Sequence, residues 1–366
     1  MSQPSTRLKL DELLDTAKII VCCGSGGVGK TTTAAALAVR GAERGRRTVV
    51  LTIDPARRLA QSMGLTELDN TPRAVAGVDG ELDAMMLDMK RTFDEIVLTH
   101  AEPDKAEQIL KNPFYQALSS SFAGTQEYMA MEKLGQLRAS GEWDLIVVDT
   151  PPTRSALDFL DAPDHLTTFL DGRLVRVLLA PAKASGKAYL KVVTAGLNVF
   201  TNAITKIIGA SVLQDVSQFV GALETMFGGF RERAQATYDL LKDPGTAFLV
   251  VATPERDALR EAAYFAERLA EERMPLAGLV VNRVHRTAGG QLTAQRALDA
   301  AEQADPLTAG VLRLHAERVE LAQRERRLRE RFTSAHPAVP VVDVAAQPGD
   351  VHDLDGLRAV AAELAG

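Results

Sequence analysis

The eight residues Gly24-Ser25-Gly26-Gly27-Val28-Gly29-Lys30-Thr31 constrain this chain more than any other stretch. They match G-x-x-x-x-G-K-[ST] at every fixed position. The apolar run Ile19-Ile20-Val21-Cys22-Cys23 before them reads as a buried strand, and an alanine-rich helical pattern from Thr31 to Arg44 follows. Strand, glycine turn and helix in that order make a phosphate cradle. Glycines let successive N–H groups point at one anion, at the positive end of a helix. Lys30 is then placed to reach β- and γ-phosphates, and the Thr31 hydroxyl to meet Mg²⁺. Gly26, Gly27, Val28, Gly29, Lys30, Thr31 and Thr32 are the candidate nucleotide-binding residues. The competing reading is a plain glycine turn; the strand and helix on either side argue against it.

The rest of the chain supplies a frame for such a loop. Thr48 to Ile53 reads as a second buried strand and delivers Asp54-Pro55-Ala56 at its carboxyl end, where open α/β sheets place their ligands. A short strand is expected over Ala84–Leu87, then mostly helix from Lys90 to Ser140 with a break near Pro113. Trp143 to Val148 is an apolar run that finishes in Asp149, an acid placed to reach the Mg²⁺ shell. Strands return at Phe248–Val251 and Leu276–Val281, with a helix over Asp257–Arg273 between them. A charged helix over Ala309–Phe332, a strand at Val339–Val344 and a helix from Leu354 close the chain. Leu314, Leu321 and Leu328 repeat every seven residues, which is too short a series for a coiled coil and suits a solvated helix with one packed stripe. The alternation predicts an α/β phosphate-loop fold, a mostly parallel sheet with helices on both faces. One phosphate-loop domain is expected over 1–366, with an α-helical subdomain inserted at about 90–140 and 155–243.

A net charge of −6 gives no general attraction for nucleic acid or a membrane surface. The two cysteines, Cys22 and Cys23, are adjacent in one strand and so face opposite ways, which suits buried small side chains in a reducing cytoplasm better than metal ligation. The first residues show no signal-peptide pattern, and a cytoplasmic location is expected.

Three stretches together resemble the arsenical-pump and tail-anchored-protein-targeting ATPases. These are the glycine loop Gly24–Thr31, Asp54-Pro55-Ala56 as a first switch, and Asp149-Thr150-Pro151-Pro152-Thr153 as a second. Gly124-Thr125-Gln126-Glu127 and Asn282 at a strand end fall in the same order, so the likeness covers nearly the whole chain. The resemblance implies a Mg²⁺-dependent ATP hydrolase acting as a dimer. Asp54 would orient or deprotonate the attacking water with Lys30 as the other catalytic residue, Asp149 would hold Mg²⁺ through water, and Asn282 would read adenine. The plainer reading of Asp54 and of Asn282 is a turn-forming residue at a strand end.

Departures from that family matter as well. Ser25 stands where the family carries a lysine that reaches the partner subunit's phosphates, and Arg154-Ser155 replaces a glycine and histidine after Thr153. A homodimer would lack that lysine's charge at both sites and be slow. A lysine-bearing paralogue in a heterodimer is then one source of the charge, and Arg57, Arg58 or Arg154 in the same chain is another. No cysteine lies outside the first strand, so a thiolate site for metalloid has no ligands.

Within 188–230, Val193, Leu197, Phe200, Ile204 and Ile208 recur at helical spacing, opposite a polar but uncharged side. Lys191 and Lys206 interrupt the run below membrane-spanning length. The stripe suits either the interior of a helical bundle or a groove for an apolar helix of a client protein, and the client reading is the one the resemblance favours. Energising metalloid or anion export, and a positioning or regulatory ATPase, stand as rival functions. The positioning reading would want a basic amphipathic tail, which residues 354–366 do not offer.

Overall fold

The computed structural model describes residues 8–54, 58–112, 115–116, 125–151, 232–287 and 292–366, with side chains from 128 onward in 125–151. Pro55, Ala56, Arg57, Gly124, Thr153, Arg154 and the stripe Val193, Leu197, Phe200, Ile204 and Ile208 lie outside the described residues.

The chain divides into two compact units. The first comprises Met1–Met86, Leu137–Leu157 and Leu240–Gly366. It is built on one sheet of β1 (Ile19–Cys23), β2 (Thr48–Thr52), β3 (Arg73–Ala74), β4 (Leu82–Met86), β5 (Leu145–Asp149), β6 (Thr246–Ala252), β7 (Leu276–Val284) and β8 (Val341–Ala345). The order across the sheet is β3-β4-β2-β5-β1-β6-β7-β8, and every pairing is parallel except that of the two-residue edge strand β3. β1, β2, β5 and β6 are buried along their whole length, as expected of parallel strands covered on both faces. The phosphate-loop α/β fold expected from the sequence is therefore present.

Helix α1 (Leu10–Thr16) precedes β1, and α2 (Lys30–Glu43) follows it. Ten of the residues of α2 are buried, from Lys30 and Thr33 through Ala42. Its alanines let a helix backbone approach the strands closely, with little side-chain entropy lost. A short α3 (Arg58–Ser62) follows β2. After β6 come α8 (Arg256–Glu271), α9 (Ala294–Ala301), α10 (Pro306–Ala335) and α11 (Leu354–Ala365). Arg358 of α11 ties to Glu43 at the end of α2, at 2.7 Å.

Several boundaries differ from expectation for local reasons. α10 begins three residues early because Asp305 caps it, accepting from the amides of Leu307 and Thr308, with Pro306 in the first turn. α9 was not expected; Thr293 caps it by accepting from Arg296 N. Along α10 the packed residues are Ala309, Ala316, Val319, Ala322, Glu325 and Phe332, whereas Leu314 is 53% exposed. The seven-residue leucine series is thus not the buried face, because small side chains are what allow α10 to lie against its neighbours. Trp143 falls outside β5, and its indole N–H donates to Asp83 at 2.9 Å.

The second unit comprises Leu87–Gln136 and Asp158–Asp239. Its described elements are helical: α4 (Met89–His100), α5 (Pro103–Lys111), α6 (Thr125–Ser140) and α7 (232–242). Asp88 caps α4, and the break between α4 and α5 falls at Ala101–Glu102, ahead of Pro103. Part-buried charged pairs tie these helices: Lys133 meets Glu95 at 2.9 Å, and Arg233 meets buried Glu132 at 3.0 Å. Among the described residues, no helix is long and apolar enough to cross a membrane.

Candidate active site

The carboxyl ends of β1, β2 and β5 meet beside the glycine loop. Strand register sets Cys22 of β1 against Asp149 of β5, and Thr52 of β2 against the same Asp149. A parallel sheet whose chain leaves its central strand in both directions opens a crevice there, and the loop occupies it.

Two glycines are required by their surroundings. Gly24 has φ +147°, and a Cβ on it would sit 2.1 Å from the Val251 carbonyl oxygen. Gly29 has φ +97° and caps α2, and a Cβ there would sit 2.2 Å from the Asn282 amide nitrogen. Gly26 and Gly27 are exposed, while Val28 is buried and anchors the loop. Thr31 and Thr32 occupy the first turn of α2 and are half-buried, with the helix's unpaired amides beside them. These groups form an anion cradle.

Lys30 is 6% exposed. Its ammonium donates to the Ser25 carbonyl at 2.9 Å, inside the loop itself. Burial pulls its pKa down, and the negative charge of Asp149 works against that. Ser25 is half-buried, and in place of a long cation it presents a hydroxymethyl group.

Asp149 is the best enclosed acid of the group, fully buried at the end of β5. Its Oδ2 accepts from the Thr31 hydroxyl at 2.8 Å and from the Thr52 hydroxyl at 2.9 Å. Its Oδ1 is buried with no hydrogen-bond partner among the described residues. Burial pushes the carboxyl up to about 6, against the two hydroxyls and Lys30, which favour the charged form. An orphaned carboxylate oxygen beside a threonine hydroxyl is the oxygen donor set of a hard divalent cation. Thr150 holds this corner together: both its amide and its hydroxyl donate to the Cys22 carbonyl, at 3.3 and 2.8 Å.

Asp54 is half-buried two residues beyond β2, and its amide donates to the Thr52 hydroxyl at 3.2 Å. Asn282, within β7, comes to the loop from 254 residues away, with its Nδ2 donating to the Val28 carbonyl at 2.9 Å. Its Oδ1 accepts from Arg283 N. Asn282 therefore braces the phosphate loop, a role its position at a strand end did not indicate. Lys30, Thr31, Asp54, Asp149 and Asn282 are thus gathered at one end of one sheet.

Two participants were not visible in the sequence. Thr52 is one; a threonine ending a buried strand is ordinary until its partner is known. Arg283 is the other, with φ +61°, a left-handed conformation uncommon for a side-chain-bearing residue. It lines a cavity of about 610 Å³ shared with Ser25, Gly26, Gly27, Val28, Glu255 and Glu261. Cys22 and Cys23 are buried, and burial pushes the Cys23 thiol up to about 12 and that of Cys22 well above its usual range. Neither is a thiolate at neutral pH.

Comparison with known proteins agrees with this site. The family model described as "Anion-transporting ATPase" matches residues 17–295. ATPase ASNA1 homolog 1 of Paramecium tetraurelia is 26% identical over 275 residues, spanning 74% of this chain and 75% of that protein. ATPase GET3B of Arabidopsis thaliana is 27% identical over 304 residues, spanning 77% and 68%. ATPase GET3 of Malassezia globosa is 32% identical over 169 residues, spanning 45% and 48%. The matched span contains the loop, the Thr31–Asp149–Thr52 cluster and Asn282, and on that ground this chain belongs to the anion-transporting (ArsA-type) ATPase family and is an ATP hydrolase.

Proposed function

We propose that this ATPase is Mg²⁺-dependent, works as a dimer in the cytoplasm, and couples ATP binding and hydrolysis to the capture or release of a hydrophobic protein client. The observation that carries the catalytic part is the buried Asp149, with both hydroxyls on Oδ2 and Oδ1 left open. Thr31 and Asp149 would hold the cation, Asp149 through water, and the cation would draw charge from the transferring phosphoryl group. Lys30 exchanges the Ser25 carbonyl for phosphate oxygens. Asp54 orients the attacking water. The Asn282 amide keeps one N–H and one lone pair beyond its two bonds, enough to meet the edge of adenine.

The client part is supported by the likeness of the loop and both switches to the targeting ATPases, and by the stripe Val193, Leu197, Phe200, Ile204 and Ile208. A metalloid role finds no support, since the chain's two cysteines are both buried in β1 with protonated thiols. Ser25 suggests that the dimer is completed by a lysine-bearing paralogue. The test is to measure binding of one apolar helix of about 20 residues to the full chain, with Mg²⁺·ADP and with a non-hydrolysable ATP analogue. Nucleotide-dependent capture is expected; no binding in either state contradicts the client reading.

A further inference from the structure

Thr52 is the last residue of β2 and is 1% exposed. Its hydroxyl lies 2.9 Å from Asp149 Oδ2 and 3.4 Å from the Asp54 carbonyl oxygen, while the Asp54 amide approaches it at 3.2 Å. A hydroxyl has one proton to give and two lone pairs to receive with. The proton goes to the nearer acceptor, the carboxylate, because a bond to an ionised oxygen is about twice as strong as a neutral one. A lone pair is then left for the Asp54 N–H. The order of donation is Asp54 amide to Thr52 hydroxyl to Asp149 carboxylate.

We propose that Thr52 is a positioning residue of this site: its hydroxyl fixes the orientation of the Asp149 carboxylate and ties the backbone that carries Asp54 to it. The proposal rests on reading Thr31 and Asp149 as the holders of cation-bound ATP. Oδ2 receives Thr31 from α2 on one side and Thr52 from β2 on the other, so both of its lone pairs are used. The carboxylate cannot turn without giving up one of them. Its Oδ1, buried and unpartnered, is thereby held in one orientation, where it would be available to a cation's water. Ile53 N also donates to the Asp149 backbone carbonyl at 3.0 Å, so the strand end and the side chain are held at the same corner. Asp54 follows two residues after Thr52, so its place is set by the group that sets Asp149.

Thr52→Val keeps the shape and removes the hydroxyl. Mn²⁺ bound to the ADP complex of the full chain, followed by electron paramagnetic resonance, reads the effect directly. Loss of a group that orients a metal-holding carboxylate costs about 10- to 100-fold in metal affinity, and a loss of that size is expected for Thr52→Val. ADP affinity measured without metal should stay within about twofold, because the loop and α2 are untouched. Thr52→Ser restores the hydroxyl and should restore Mn²⁺ affinity. If valine does not fit the site, Thr52→Ala carries the same test. Mn²⁺ affinity within about twofold of the parental chain in the hydroxyl-free variant, or a serine variant as impaired as valine, overturns the proposal. A parental chain that binds ADP but no Mn²⁺ is a different result, and it overturns the reading of the site itself.

Discussion

Asn282 donates its amide hydrogen to the Val28 carbonyl at 2.9 Å, and so β7 holds the phosphate loop in place across the sheet's carboxyl edge. Gly29 leaves room for that amide. Removing the amide with Asn282→Ala leaves the loop without one of its fixed points. A hydrogen bond of this kind contributes about 0.5–1.5 kcal/mol, so KM for ATP should rise by up to about tenfold with a smaller change in kcat. Steady-state kinetics check this; an unchanged KM would show that the loop keeps its shape unaided.

Gly24 and Gly27 both have positive φ, but their surroundings differ. A Cβ on Gly24 meets the Val251 carbonyl at 2.1 Å, whereas one on Gly27 meets nothing within 4 Å. Gly27→Ala should therefore cost only backbone strain, about 1–2 kcal/mol, and Gly24→Ala more, because β1 and β6 must move apart. Urea denaturation of the two variants should rank them in that order.

Asp149 makes a prediction about pH. Its folded carboxyl is raised to about 6 from an ordinary 3.8, chiefly by burial. The folded chain therefore holds this proton more tightly than the unfolded chain. The resulting stability is full below about 3.8 and is lost as pH rises through about 6. Without metal, the parental chain should gain melting temperature relative to Asp149→Asn as pH falls through that window. Metal affinity should move the other way and weaken as pH falls through about 6, since proton and cation compete for the same carboxylate. Melts in chelator and metal titrations of the parental chain at several pH values separate the two.

How much of this was legible in the sequence depends on the distance over which each contact acts. The loop Gly24–Thr31 and the run ending in Asp149 could be read because phosphate chemistry demands given residue types at given spacings. The parallel sheet could be read from uninterrupted apolar runs such as Ile19–Cys23. Asn282 on Val28 and Thr52 on Asp149 are contacts between residues 254 and 97 apart, and a local pattern carries no record of them. The left-handed backbone of Arg283 leaves no mark on its side-chain type. α9 is a different case, because the cap Thr293 ahead of Ala294 was a usable signal that its short length obscured.

Ser25 bears on speed rather than fold. Its side chain neither pairs with Lys30 nor replaces it, since it is the Ser25 backbone carbonyl that receives the ammonium. If the chain lacks a charge that a partner normally gives, Ser25→Lys should raise the turnover of the chain alone by at least about tenfold, a small part of the 10³ to 10⁵ that such a cation supplies elsewhere. Phosphate release by the two chains at equal concentration measures it. Equal rates would favour a charge from within this chain, with Arg283 next to Asn282 and Arg58 shortly after Asp54 as described candidates.

We propose above that the glycine loop and the Asp149 cluster form one metal-dependent ATP-hydrolysing site. The most direct measurement is phosphate release from ATP by the parental chain and by Lys30→Ala, each with Mg²⁺ and with chelator. Turnover by the parental chain with Mg²⁺ is expected, and a loss of it on chelation and in the Lys30 variant. Hydrolysis by Lys30→Ala at the parental rate, or turnover unchanged by chelator, would contradict it.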